Sequence, residues 1–271
     1  MNECTTAIVL AAGRGSRMRR DDGRTRLTES QAAAATLGIK GMIPDSRGRP
    51  FLDHVLSTLA EAGITKVALI VGSDHDLIRD HYTRRPPHRL AVDFIVQTAP
   101  RGTADALIAA ESRIGDRDFL VLNADNLYPW GSLAALIALG GPGLIAFDRD
   151  ALVRLGNIEA GRIASFAVLR LGSDSNLESI VEKPPTIDLH GIDARWISMN
   201  LWRFNRDIFA ACRDVAPSPR GEFELPVAVG LAIARGMRLR AVPVADGVLD
   251  LSNRDDVARV AQLLGDRELR L

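Results

Sequence analysis

Lysine is almost missing from this chain. Of its 34 basic residues only Lys40, Lys66 and Lys183 carry an ammonium, and the rest are arginine. An ammonium is a compact point charge and a guanidinium a planar fork, so a site that needs the former cannot exchange it freely. Lys66 stands between a helical pattern and an apolar run and reads as a plain surface residue, whereas Lys40 and Lys183 sit in motif-like surroundings. Cysteine is scarcer still. Cys4 and Cys212 exclude a disulfide framework and lack metal-ligand spacing, so both are expected to be buried or incidental thiols. Net charge is absent, with 34 acidic residues against 34 basic ones. That balance excludes a nucleic-acid or membrane-surface partner held by bulk electrostatics, and any anion site must be local. No apolar stretch approaches the roughly 20 residues of a membrane span. The amino terminus also lacks the basic-then-apolar order of a secretory signal, so the expected location is the cytoplasm. Among the five histidines, His75, His81 and His88 lie near one another without i, i+4 spacing and are expected as a solvated loop cluster rather than a metal site.

What is present is an ordinary globular composition, 46% hydrophobic and 25% charged over 271 residues, enough for a large core in one α/β domain or two small ones. The run Ala7-Ile8-Val9-Leu10 reads as a first buried strand and opens into Ala11-Ala12-Gly13-Arg14-Gly15-Ser16-Arg17-Met18. Two glycines spaced by one residue let bare backbone N–H groups approach an anion, with no Cβ in the way. Arg14 and Arg17 add forks suited to phosphate oxygens. The loop is not the dinucleotide fingerprint, because Met18 stands where the third glycine should allow close helix packing. It also lacks the Gly-Lys-Ser/Thr ending of a P-loop.

Further apolar runs, Val67 to Val71, Ala91 to Val96, Phe119 to Leu122 and Leu144 to Phe147, alternate with helical patterns over Phe51 to Leu59, Ala104 to Glu111 and Gly131 to Leu139. Such alternation implies right-handed crossovers, a mostly parallel sheet with helices on both faces, and ligands at the carboxyl ends of the strands. Within the segment Asp21 to Lys40, the capping-box pattern Thr28-Glu29-Ser30-Gln31 should start a helix that Gly38 stops; it is either a flap over the ligand or a helical insertion on the surface. Less regular runs, Gly161 to Phe166, Ile180 to Lys183, Trp196 to Phe204 and Leu239 to Val244, read as later strands, Pro184-Pro185 as a turn, and Arg254 to Leu269 as an amphipathic helix. No hexapeptide repeat follows it, so no solenoid is expected. With no linker visible, residues 1–271 are expected to be one domain with an elaborated second lobe.

Two aspartates close apolar runs: Asp125, in Asn123-Ala124-Asp125-Asn126, and Asp250, after Val248-Leu249. Two hard oxygen ligands converging near phosphates would hold one Mg²⁺, which takes one or two protein carboxylates and fills the rest with substrate oxygens and water. Each aspartate alone is more often a turn or helix cap.

Together these residues resemble the sugar-1-phosphate nucleotidyltransferases, also called nucleotide-sugar pyrophosphorylases. The glycine loop resembles the family signature L-A-A-G-x-G-T/S-R-L/M. Lys40-Gly41-Met42-Ile43-Pro44 resembles K-P-L-L-P, and Gln97 with Gly102 and Thr103 the base-reading stretch. Asn123-Ala124-Asp125-Asn126 is similar to G-D-N/H, Gly156 to a central-sheet glycine, Glu182-Lys183-Pro184 to E-K-P, Gly221-Glu222-Phe223-Glu224-Leu225 to G-E-x-E/Q-L, and Leu249-Asp250-Leu251 stands where the family has W-x-D-x-G.

The resemblance implies a Rossmann-like, three-layer, GT-A-like nucleotidyltransferase fold with a mostly parallel sheet and an elaborated sugar-binding lobe, in which about 1–130 would be the nucleotide-binding part and about 131–271 the sugar-phosphate-binding part. It implies an enzyme that condenses a nucleoside triphosphate, UTP or dTTP, with a sugar 1-phosphate. Leu10, Ala11, Ala12, Gly13, Arg14, Gly15, Gln97, Gly102 and Thr103 would then bind the nucleotide. Arg17, Lys40, Asp125 and Lys183 would be catalytic, Asp125 and Asp250 would hold Mg²⁺, and Asn126, Gly156, Glu182, Lys183, Asn200, Trp202 and Glu222 would serve the acceptor. The amide of Gln97, donor and acceptor at once, suits an imide base edge. Departures include Gly41 for proline, Ala124 for glycine, Asn200 where relatives have glycine, and Ser252-Asn253 for G-T. The last two are expected to alter acceptor recognition, so an unusual sugar or cyclitol phosphate stays in view, as does an adenylyl or guanylyl transfer. Outside the class stand a glycosyltransferase of similar fold and a non-catalytic sugar-phosphate sensor. The sequence is compatible with a homo-oligomer without specifying one.

Overall fold

The computed structural model describes residues 4–20, 23, 25–183, 194–265 and 267–271. In chain order, β1 (Thr6–Leu10) leads through the glycine loop to the short α1 (Ser16–Arg19), and α2 (Glu29–Leu37) and α3 (Phe51–Glu61) follow. Then come β2 (Lys66–Gly72), α4 (Asp76–Arg84), β3 (Ala91–Gln97), α5 (Thr103–Ala109) and β4 (Phe119–Asn123). The second half opens with β5 (Asn126–Leu127), α6 (Trp130–Ile137), β6 (Gly143–Asp148), α7 (Arg149–Leu155), β7 (Ala167–Leu171) and β8 (Leu177–Val181). It continues through β9 (Trp196–Ser198), β10 (Trp202–Phe204), α8 (Ile208–Asp214), α9 (Leu225–Ala234), β11 (Arg240–Val244), β12 (Leu249–Asp250) and α10 (Arg254–Leu264).

The large sheet has the order β3-β2-β1-β4-β10-β6-β9-β7-β8, with β11 beside β6. The expected mostly parallel arrangement is found: the pairings make β1, β2, β3, β4, β6, β7 and β11 run one way and β8, β9 and β10 the other. The central strands are apolar without alternation because both faces are covered. Ala7 and Val9 point into a core shared with α2, α3, α4 and α10, and Ile8 points into one shared with α5, α8 and α9. Cys4 and Cys212 are buried, one in each core. No helix among the described residues is long and apolar enough to cross a membrane.

The capping box at the start of α2 is made as predicted, with Gln31 N donating to Thr28 Oγ1 at 3.3 Å and Thr28 N to Gln31 Oε1 at 3.1 Å. The helix is docked, since Ala34 and Ala35 are buried and Gln31 Nε2 donates to the Pro44 carbonyl at 3.1 Å. Asp21, Pro184 and Pro185, which figure in the sequence reading, lie outside the described residues.

Three expectations are corrected. The run Gly161 to Phe166 is not a strand but part of a 3-10 helix over Ala160–Ser165, where Arg162 turns inward to two aspartates. The run Trp196 to Phe204 is not one strand. Asn200, with φ 58°, breaks it, so that β9 pairs with β6 and β7 while β10 inserts between β4 and β6. Finally, the three histidines are not a solvated cluster: His88 is exposed, but His81 lies 3.4 Å from Asp53 and His75 is buried.

Candidate active site

A cavity of about 660 Å³ opens at the carboxyl edge of β1 and β4, where the alternation of strands and helices puts strand ends and helix starts together. Leu10, Ala11, Ala12, Gly13, Arg14, Gly15 and Arg17 form one wall. The two glycines serve different ends. Gly15 has φ 56° and its Cα lies against α2's end, so that a Cβ there would stand 2.1 Å from the Gly38 carbonyl oxygen. Gly13 has open space at the same position and leaves room for a ligand. Among the described residues the N–H groups of Ala12, Gly13, Arg14 and Gly15 donate to no backbone or side-chain acceptor, which is the arrangement of an anion cradle. Arg14 and Arg17 border it.

At one end of the cavity sits Gln97, with Gly102 and Thr103. Both hydrogens of the Gln97 amide are committed, to the Gly102 carbonyl at 3.1 Å and to Asp105 Oδ2 at 2.8 Å. Both partners only accept, so the amide orientation is settled and Gln97 offers the cavity an acceptor alone, not the donor-acceptor pair expected of it. Asp105, given no role from the sequence, is itself held by Arg101 at 2.9 Å. Gly102 has φ 112°, and a Cβ there would stand 2.4 Å from the Phe223 carbonyl oxygen. This close approach lets Ala104 N donate to Phe223 O at 2.9 Å and Phe223 N to Arg101 O at 2.7 Å. Thr103 Oγ1 accepts from Leu225 N at 2.8 Å.

Below the cradle, Lys40 Nζ donates to Asp125 Oδ2 at 2.7 Å, and both line the cavity. Asp250 is next to them in the fold: β12 pairs with β5 so that Asp250 stands opposite Asn126, and Leu251 N donates to Asp125 O at 2.9 Å. Its side chain, however, is buried and outside the cavity wall. Asn126 Nδ2 donates to Asp250 Oδ1 at 2.8 Å, and Arg162 holds Oδ2 while also reaching Asp256 Oδ1 at 2.7 Å. Burial first, and then the charge of Asp125, push the Asp250 carboxyl above the usual range. Two carboxylates that feel each other's charge fit a divalent cation chemically. In geometry the fit is at Asp125, because the Asp250 oxygens are turned toward Asn126 and Arg162. Asn126 therefore orients Asp250 from behind the wall and does not face an acceptor.

The opposite wall holds Glu182, Lys183, Asn200, Arg220, Glu222 and Glu224. Lys183 Nζ lies 3.0 Å from Glu182 Oε1 and its backbone has φ 45°, a left-handed conformation uncommon outside glycine and asparagine. Burial raises the pKa of Glu182. Arg220 donates to Glu224 Oε1 at 2.6 Å; against the upward push of burial, this bond and the charges of Lys183 and Arg220 hold Glu224 below the usual carboxylate range. Neither Arg220 nor Glu224 was assigned a role from the sequence, although the resemblance ran through both neighbours. Asn200 occupies a left-handed position with φ 58°, the one that a glycine would take, and keeps that geometry because asparagine tolerates it best.

Besides Asn126, two further residues expected to serve the acceptor do not line the cavity. Trp202 is fully buried, stacked on Phe204 at 5.7 Å, because β10 is an interior strand and its side chains enter the cores. Gly156 caps α7, and a Cβ there would stand 2.6 Å from the Val248 carbonyl oxygen; it is a packing glycine. Ser252-Asn253 is likewise a helix cap, with Asn253 and Asp256 forming the capping box of α10, so this departure does not touch the acceptor wall.

The chain matches the model of the Nucleotidyl transferase family over residues 6–265. The UTP–glucose-1-phosphate uridylyltransferase AglF of Haloferax volcanii is 28% identical over 261 residues, covering 95% of this chain and 96% of that protein. The bifunctional protein GlmU of Methanococcus maripaludis is 28% identical over 230 residues, 85% of this chain and 47% of GlmU; the chain thus spans about half that relative's length. A crystal structure of UDP-glucose pyrophosphorylase complexed with UDP-glucose superposes with a TM-score of 0.76 over 96% of this chain and 98% of the other, at 16% identity, a likeness of fold.

Proposed function

Since this chain belongs to the Nucleotidyl transferase family, we propose that it joins a nucleoside triphosphate, UTP or dTTP, to a sugar 1-phosphate, releasing pyrophosphate. The observation that carries this is the single cavity bounded by unpaired amides on one wall and by Glu182, Lys183 and Arg220 on the other, with Lys40 and Asp125 between them. The cradle of Ala12 to Gly15 with Arg14 and Arg17 would take the triphosphate. The Gln97 carbonyl would accept from the base, and the N3–H of uracil or thymine is a donor of that kind. Lys183 would grip the sugar phosphate, and Glu182 would accept from sugar hydroxyls.

The reaction is an in-line displacement. An oxygen of the sugar phosphate bonds to the α-phosphorus, the bond from that phosphorus to the oxygen bridging to the β-phosphate breaks, and pyrophosphate departs with its electron pair. A phosphate monoester is ionised near neutral pH, so no protein base is needed, and catalysis reduces to alignment and charge neutralisation. Lys40 stands where it can neutralise charge between the two substrates. Mg²⁺, which Asp125 would hold at the cavity wall, would supply further neutralisation of the phosphates when bound; Asp250 would join it only by leaving Asn126 and Arg162.

The name of AglF supports UTP and glucose 1-phosphate, whereas Asn200 favours a different acceptor. It adds a carboxamide to the wall, which removes space and offers a donor and an acceptor. Pyrophosphate release should be measured over a panel of five nucleoside triphosphates, each with several sugar and cyclitol phosphates. Turnover with UTP or dTTP and one acceptor is expected. Turnover with a purine triphosphate would move the assignment within the class, and nucleotide binding without turnover across the panel would replace it with a sensor.

A further inference from the structure

His75 follows β2 rather than the glycine loop, yet its ring reaches that loop. Its Nδ1 lies 3.0 Å from the carbonyl oxygen of Ala11. A carbonyl only accepts, so Nδ1 carries the proton. We infer that His75 is a positioning residue for the triphosphate: by holding the Ala11 carbonyl away from the cavity it aims the N–H of Ala12 into it. The inference rests on the triphosphate reading of the loop given above.

The argument is one of peptide geometry. In a trans peptide the C=O and the following N–H point in opposite directions, and no described peptide in this chain is cis. The peptide before the one at issue has Ala11 N donating to Ile70 O at 2.8 Å and Leu10 O accepting from Ala124 N at 3.0 Å, so it bridges β2 on one side and the end of β4 on the other. In the next peptide the Ala11 carbonyl turns to His75, on the β2 side. The Ala12 N–H therefore turns to the β4 side, where Asn123, Ala124 and Asp125 line the cavity. That N–H has no partner among the described residues. β1 has ended here and β2 runs on paired only with β3, so no backbone hydrogen bond holds this peptide. Reversed, it would present a carbonyl oxygen to the phosphates.

The surroundings keep the ring in place. His75 is 2% exposed, and it packs over Gly72, where a Cβ would stand 3.3 Å from ring Cδ2 and Nε2. Arg79 donates to the Gly72 and Ser73 carbonyls at 3.2 and 3.1 Å, bracing the turn. Burial holds His75 below its ordinary pKa, partly opposed by Asp74 and the Ala11 bond, so the ring is neutral near pH 7.

The test compares wild type with His75→Leu, which fills the site without a donor, and His75→Asn, whose Nδ2 takes the place of Nδ1. Calorimetric affinity for UTP and inhibition by inorganic tripolyphosphate are measured beside steady-state kinetics. His75→Leu should weaken UTP and tripolyphosphate by the same factor, about tenfold or more as for a lost hydrogen bond to a charged group. The acceptor KM should stay within about twofold, and His75→Asn should restore UTP affinity to within about threefold of wild type. A folded His75→Leu protein with wild-type UTP affinity, or a His75→Asn protein no better than it, would overturn the role. If His75→Leu does not fold, His75→Asn against the isosteric acceptor His75→Asp carries the test, and equal UTP affinities refute it. A wild-type protein that binds no nucleoside triphosphate would remove the parent reading and this role together.

Discussion

The two walls of the cavity are built on opposite plans. On the side proposed for the nucleotide a ligand would meet backbone: free N–H groups on a loop whose path is set by Gly15 against Gly38 and whose peptide Ala11–Ala12 is held from behind by His75. On the acceptor side it meets side chains, and these are already engaged with one another, Glu182 with Lys183 and Arg220 with Glu224. Backbone donors cost little to present because they have no rotamer freedom, whereas paired charges must exchange partners when a ligand arrives. The first wall suits what every nucleoside triphosphate has in common, and the second suits discrimination among acceptors.

The sharpest way to break that contrast is at the residue that belongs to neither wall. Asp125→Asn should lower kcat by about a thousandfold, in line with loss of a charged group at a phosphoryl-transfer centre, with an unchanged fold by circular dichroism; an unchanged pyrophosphate-release rate would discard the proposed Asp125 role. Next is Lys183→Ala, expected to raise the KM for the sugar phosphate by about thirtyfold, the worth of a charge-assisted hydrogen bond, while the KM for the triphosphate moves by less than about twofold. A loss confined to the triphosphate would place Lys183 on the wrong wall. Gly102→Ala is a steric counterpart on the nucleotide side. Its Cβ meets the Phe223 backbone at 2.4 Å in a glycine-only conformation, so stability should fall by about 2 kcal/mol, read from denaturant titration. The smallest effect concerns pH. Because burial raises the Glu182 pKa above the ordinary 4.5, its ionised, accepting form is lost on acidification earlier than for an exposed glutamate. The acceptor KM should rise on the acid side of neutrality in wild type more steeply than in Glu182→Gln, and parallel profiles would remove Glu182 from acceptor binding.

The nucleotide wall was legible because its instructions are local. A strand, two glycines and two arginines lie within eleven residues, and the strand edges were read to within a residue at β1 to β4. Residues of the other wall were legible only through resemblance, since they come from three separate segments. The errors have a common origin. Trp202 lies two residues from Asn200 and was assigned with it, but the left-handed residue Asn200 carries the chain from one side of β6 to the other, into the interior of the sheet, and nothing in the apolar run signals that crossing. Gly161 to Phe166 carries strand-like residues, yet Arg162 finds two buried carboxylates, and that pairing outweighs propensity. Asp105 and His75 act through residues that the motifs already named, at spacings no local pattern encodes.

The Gly102–Phe223 seam gives the molecule a mechanical property. Arg101, Gly102, Thr103 and Ala104 are laced to Phe223 and Leu225 by backbone contacts and one hydroxyl, so the strip proposed to lie beneath the base and the strip bearing Glu222 and Glu224 are a single stiff ribbon. Displacing it by an ångström at the base end displaces the carboxylates at the other by a comparable amount. A chain redesigned for a bulkier base would thereby also be retuned for its acceptor.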